Sequence, residues 1–233
     1  MQFLSRSDAT LRREASAAAM IPLVAHVDEY VARTRAGDYV QTLRLAGASF
    51  ESADDEDINS WHERLNVLLR NIASINLAIW VHVVRRRETG YPMGRTVPGF
   101  AHEVEQRYRQ KMADERLMVN ELYLSIVYRP QPTRVGNVAL RILRRTDPEG
   151  ARAEMRDSLD ACTKLRQELM AALERYDPEA LGVYRIEGVN VRFSSLAEFH
   201  GLLINGEWQR MPLPRSPLNE VLATSRPFFG NEA

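Results

Sequence analysis

Between residues 51 and 85 the chain changes its hydrophobic period, and that change constrains the fold more than any other feature. Ile58, Trp61, Leu65, Leu68, Leu69 and Ile72 stand at offsets 0, 3, 7, 10, 11 and 14, the spacing of one face of a helix. Glu51, Asp54, Asp55, Glu56 and Asp57 lie just ahead of them, so acids sit at the positive end of the helix dipole. Residues 77–85 then carry Ile79, Val81, Val83 and Val84, a β-branched run that reads as a strand. A helix stripe and a strand face so close together in sequence predict a two-layer core.

The remaining segments extend this pattern. Residues 27–34 read as a polar strand, residues 35–38 as a turn in which Gly37 is free to take positive φ, and residues 39–46 as an alternating strand. Residues 100–113 are expected to be helical and residues 118–128 a strand ended by Pro130 and Pro132. Residues 91–99 read as a loop and 135–145 as a short helix. A long helix is expected from Pro148 to about Tyr176, with Met155, Leu159, Cys162, Leu169 and Leu173 on its apolar stripe. Residues 182–193 suggest a weak hairpin. Ser195-Leu196-Ala197-Glu198 has the form of a capping box, and Asn205-Gly206 ends the helix it opens. The fold class expected is α+β: a mixed, mostly antiparallel sheet in the order β-β-α-β-α-β, covered by helices on one face, with an extra helical subdomain. The expected divisions are an N-terminal arm (1–20), a sheet domain (21–134), a helical and small hairpin part packed on it (135–211) and a linker (212–233).

Composition narrows the function classes. Lys plus Arg and Asp plus Glu both number 31, so the chain is neutral and lacks the excess of a uniformly basic nucleic-acid binder. Cys162 is the one cysteine, which excludes a disulfide framework within the chain. The apolar stretch 15–25 follows Arg12 and Arg13 but is short and broken by Pro22. It reads as a cytoplasmic leader into the first strand, not as a signal peptide or a span.

Sites of chemistry were sought by spacing. The sequence holds no G-x-x-x-x-G-K-[ST] and no G-x-G-x-x-G, so no phosphate cradle is advertised and no ATP binding is expected. His62-Glu63 and His102-Glu103 begin like a zincin helix, but Asn66 and Gln106 stand where a second ligand belongs. Cys162 lies on an apolar stripe and reads as a packed thiol. The acidic run has no EF-hand spacing and reads as a solvated helix start. Catalytic, cofactor and metal residues are therefore assigned to none. Arg85, Arg86 and Arg87 close the β-branched strand beside a Pro/Gly loop. Such a cluster either docks a partner's carboxylates or lipid phosphates, or supplies strand-end charge and internal bridges to the acidic run. A free-standing small-molecule enzyme using His62, His82 and carboxylates is the alternative reading.

Several stretches in joint order carry a resemblance: residues 21–27 (IPLVAHV), 37–42 (GDYVQT), 61–66 (WHERLN), 68–74 (LLRNIAS), 80–87 (WVHVVRRR), 117–124 (LMVNELYL), 127–130 (VYRP) and 225–230 (SRPFFG). Together they resemble the N-terminal domain of the CagE/TrbE/VirB family of type IV secretion ATPases. The resemblance implies a docking and assembly domain without catalysis of its own, peripheral at the cytoplasmic face of a bacterial inner membrane. It implies that ATP and Mg belong to a motor domain of the parent protein, towards which residues 212–233 would lead, and that such a parent serves conjugation or protein export. The implied partners are other secretion subunits, including a small inner-membrane subunit, and further copies in a homo-oligomer. No sequence-specific nucleic-acid contact is implied.

Overall fold

The structure is a computed structural model that describes residues 17–88, 98–114, 117–130 and 148–223. Expectations for residues 1–16, 91–97, 135–145 and 224–233 fall outside the described residues. Six strands form the main sheet: β1 (Leu23–His26), β2 (Ala32–Thr34), β3 (Tyr39–Leu45), β4 (Leu77–Glu88), β5 (Leu117–Tyr128) and β6 (Pro178–Ala180). Their order is β1-β2-β3-β5-β4, with β6 beside the far half of β3, and the pairings are antiparallel. The expected α+β class is what the chain adopts. A second hairpin joins β7 (Val183–Arg185) to β8 (Arg192–Ser194).

Helices cover both faces of the sheet, where the sequence suggested one. Helices α1 (Asp55–Ile72) and α3 (Pro148–Ala172) lie on the face of Leu43, Leu45 and Ile126, to which they contribute Leu68, Ile72 and Leu169, joined by Leu173 just past the end of α3. Helices α4 (Ser195–Asn205) and α5 (Leu218–Leu222) cover the opposite face. There Phe199, Leu196 and Leu222 pack with Val40, Tyr123 and Val127. Strand alternation explains the split, because neighbouring residues of β5 point to opposite sides. Helix α2 (Phe100–Asp114) joins β4 to β5.

Four expectations change. Residues 27–34 are not one strand: Val27 N–H donates to the Val31 carbonyl at 3.0 Å, so a turn precedes β2. The segment read as a leader supplies β1, whose Leu23 is buried in the core. The long helix stops at Ala172, and a short 3-10 turn (Glu174–Tyr176) follows, closed by Asp177 at φ 47°, which reverses the chain into β6. Leu65 was expected to cover the sheet, yet it is 37% exposed. Helix α1 buries Trp61 and turns Leu68 and Ile72 inward, leaving Leu65 and Leu69 on the wet flank of the stripe.

Candidate docking surface

Strand β4 is an edge of the sheet, and among the described residues only β5 pairs with it. Its register against β5 runs unbroken from Leu77↔Tyr128 to Glu88↔Leu117. Alternation sends Ala78, His82, Val84 and Arg86 to the α4 face. Leu77, Ile79, Val81, Val83, Arg85 and Arg87 go to the α1 face. The cover on that second face is incomplete. Leu77 packs into the core, whereas Val81 and Val83 are 64% and 66% exposed.

Strand alternation therefore divides the three arginines between the two faces. Arg86 Nε donates to Glu121 Oε1 at 3.0 Å, and Arg44 Nη2 approaches the same oxygen at 3.6 Å. Glu121 Oε2 accepts from the Tyr123 hydroxyl at 2.9 Å, and the Glu121 side chain is only 11% exposed. Burial, then the Glu121 hydrogen bond and charge, push the Tyr123 phenol up to about 12. Arg86 balances a half-buried carboxylate, and this bridge runs to Glu121 and not to the acidic run at 51–57. Arg85 and Arg87 are exposed on the other side, in line with Val81 and Val83. Charged side chains on an edge also deter uncontrolled strand pairing, and Arg85 and Arg87 are such charges on β4.

The histidines of the alternative reading do not meet. His62 is exposed on α1, over one face of the sheet. His82 faces the other side, where its Nε2 lies 3.1 Å from the Ser125 hydroxyl and its ring meets Phe199 edge-on. The sheet stands between them. Sequence spacing missed a different grouping, since residues 26, 82 and 200 are far apart in the chain. His26 Nε2 shares a 2.6 Å hydrogen bond with the Ser194 hydroxyl, and His82 and His200 flank Phe199. Burial lowers the pKa of His26 and His82. Burial first, then the charges of His82 and His26, lower His200 to about 4. Among the described residues no set of His, Cys, Asp or Glu is arranged to hold a metal. Cys162 is buried against Val31 and Tyr39, and burial pushes its thiol up to about 12, which suits the packed thiol expected of it.

A concavity of about 580 Å³ opens between the β1–β2 turn and the β7–β8 hairpin. His26, Asp28, Glu29, Tyr184, Arg185 and Arg192 line it, a mixed-charge wall with no excess of either sign. Tyr184 is engaged in structure, because its hydroxyl donates to Glu198 Oε1 at 2.8 Å. Among the described residues no helix is long and apolar enough to cross a membrane.

Residues 30–135 match the family described as "Type IV secretion system ATPase VirB4/TrbE, N-terminal domain". The chain is 31% identical over 223 residues to the type IV secretion system protein virB4 of Bartonella quintana, covering 95% of this chain and 28% of that protein. It is 32% identical over 228 residues to virB4 of Brucella suis, with 95% and 27% covered. It is 31% identical over 241 residues to the type IV secretion system protein PtlC homolog of Bordetella bronchiseptica, with 96% and 27% covered. The chain thus spans less than a third of the length of these curated relatives.

Proposed function

Since the chain belongs to the VirB4/TrbE N-terminal-domain family of type IV secretion ATPases, we propose that it is a docking and assembly domain of a secretion machine. In this reading it sits at the cytoplasmic face of the inner membrane and receives a segment of another subunit along β4. The observation that carries the reading is the open edge itself. Twelve residues of β4 are paired on one side, with Val81 and Val83 uncovered and Arg85 and Arg87 alongside. A partner strand added there would gain main-chain hydrogen bonds and bury the two valines. Partner carboxylates would meet the two arginine forks. The small inner-membrane subunit is the expected partner. These residues carry no catalysis, and ATP and Mg are assigned to the motor of the parent protein.

The test reverses Arg85 and Arg87 to Glu together and measures recovery of the chain with its membrane partner subunit. Arg86 stays native, because reversing it would strand Glu121 and confuse folding with docking. Recovery should fall at least several-fold while the thermal melt stays that of the parent. A folded variant recovered as well as the parent removes this patch from the interface.

A further inference from the structure

Helix α2 (Phe100–Asp114) is turned inside out. Phe100, Val104 and Tyr108 follow one another at four-residue steps and so occupy an arc of roughly 80°. That arc faces solvent: Phe100 is 83% exposed, and Val104 and Tyr108 are also large exposed side chains. The half-buried side of the helix carries His102, Glu105, Arg109 and Met112, three of the four polar. Glu105 and Arg109 hold each other there at 3.0 Å, and Gln106 lies 3.0 Å from His102. An amphipathic helix buries its apolar arc when its own fold is the partner. Here the apolar arc is on the outside, where a second surface can cover it.

The charges beside the arc specify that surface. Glu103 and Arg107 lie on one flank, acid first and base after, and Lys111 falls within the arc near its C-terminal end. A parallel two-fold pair would send the two Glu103–Arg107 flanks to opposite sides of the contact, where neither meets the other. An antiparallel one with its two-fold axis at Val104 sets Phe100 against Tyr108 and brings each Glu103 within about 3 Å, along the axis, of Arg107 of the second copy. We propose that α2 docks antiparallel on α2 of a second copy of this chain, through Phe100, Val104 and Tyr108 with crossed Glu103–Arg107 pairs. The contact is separate from the β4 edge. One helix pair is smaller than a standard interface of about 800 Å² per partner, so the free chain should dimerise weakly, in the micromolar range or above.

The experiment is sedimentation equilibrium of the full 233-residue chain from about one to a few hundred micromolar, the span that such affinities require. The parent should pass from monomer to dimer, and Val104→Glu should remain monomeric with an unchanged melt. Glu103→Arg alone should weaken the dimer several-fold, and Glu103→Arg with Arg107→Glu should restore it, a rescue that no unrelated partner or general stickiness produces. Val104→Cys should form an interchain disulfide on mild oxidation, since the two-fold axis sets position 104 against itself, whereas the parent with its buried Cys162 should not. A parent monomeric throughout, a Val104→Glu dimer as tight as the parent's, or failure of the charge swap to restore the dimer each overturns the proposal.

Discussion

Leu65 and Leu43 show how far identity falls short of burial. Both are leucines on apolar faces, but Leu43 is fully buried between β5 and α3, whereas Leu65 is more than one-third exposed. Leu43→Ala should cost about 2–5 kcal/mol, the range for a core cavity. Leu65→Ala should cost less, about 1–2 kcal/mol, since more than a third of its surface stays in water. Urea denaturation of the two variants checks the contrast, and equal losses would put Leu65 back in the core. His200 gives a second residue-scale expectation. Its folded pKa is about 4, below the ordinary value of 6.5, because Nε2 is buried and has no hydrogen-bond partner among the described residues. Protonation therefore favours the unfolded chain. The stability from keeping His200 neutral is complete above about pH 6.5 and is lost as pH falls from there towards 4. His26 and His82 are shifted in the same direction and add to the slope. Stability measured from pH 7 to pH 4.5 should decline by a few kcal/mol, and His200→Leu should flatten part of that decline. A slope unchanged in the variant would assign the acid sensitivity to other groups.

At the scale of elements, legibility followed length and periodicity. Helix α1, strands β4 and β5 and helix α2 were readable because each repeats its period several times. β1 and β6 were not, since four and three residues carry no period, and β6 opens with Pro178, which favours no strand by itself. The start of α4 was readable to within one residue. Ser194 is the N-cap, its hydroxyl accepting from Ala197 N–H at 3.0 Å, while Ser195 instead bonds both main-chain groups of Gly182. Glu198 does not close a capping box; it accepts from the Tyr184 hydroxyl and from Met211 N–H. Two serines in sequence made the cap ambiguous, and only the contact with the strand ahead decides it. That contact also explains Gly182. A Cβ there would stand 2.5 Å from the Tyr30 ring and 2.8 Å from the Glu29 carbonyl oxygen. Tyr30 is constrained in turn by the Arg166 guanidinium 4.4 Å from its ring centre. Gly182→Ala should therefore destabilise the chain by about 1–3 kcal/mol, the cost of overpacking. A calorimetric melt within a degree of the parent's would mean that the β1–β2 turn yields freely. The proposed docking surface was legible only as composition: three arginines in a row drew notice, but strand parity divides them, and Glu121, which claims Arg86, lies 35 residues away.

At the scale of the whole molecule, the described residues give the sheet a covered end and a bare end. Where β3, β5 and β4 lie side by side, helices stand on both faces and Ile126, Tyr123 and Leu43 are almost wholly buried. Beyond β3, the β4–β5 ladder continues as a two-stranded ribbon, pairing Arg85 with Asn120, Arg86 with Val119 and Arg87 with Met118. Met118 and Val119 are exposed there, and α2 follows with its apolar arc in water. A two-stranded ribbon without a third strand or cover is marginal in stability. Amides in the Ile79–Ile126 and Val81–Leu124 part of the ladder should thus exchange with deuterium only through near-global opening. Those from Arg85 to Arg87 and from Met118 to Asn120 should exchange through local opening, orders of magnitude faster. Cover from outside should reverse the difference. A strand added to β4 should slow the β4 amides of the ribbon, and α2 pairing should slow α2 at high protein concentration without the membrane subunit. The two effects are separable, because the first follows partner subunit and the second follows the concentration of the chain itself. Uniform exchange along β4 and β5 in the free chain would show that the ribbon is held as firmly as the sheet, and that the bare end needs no partner to be ordered.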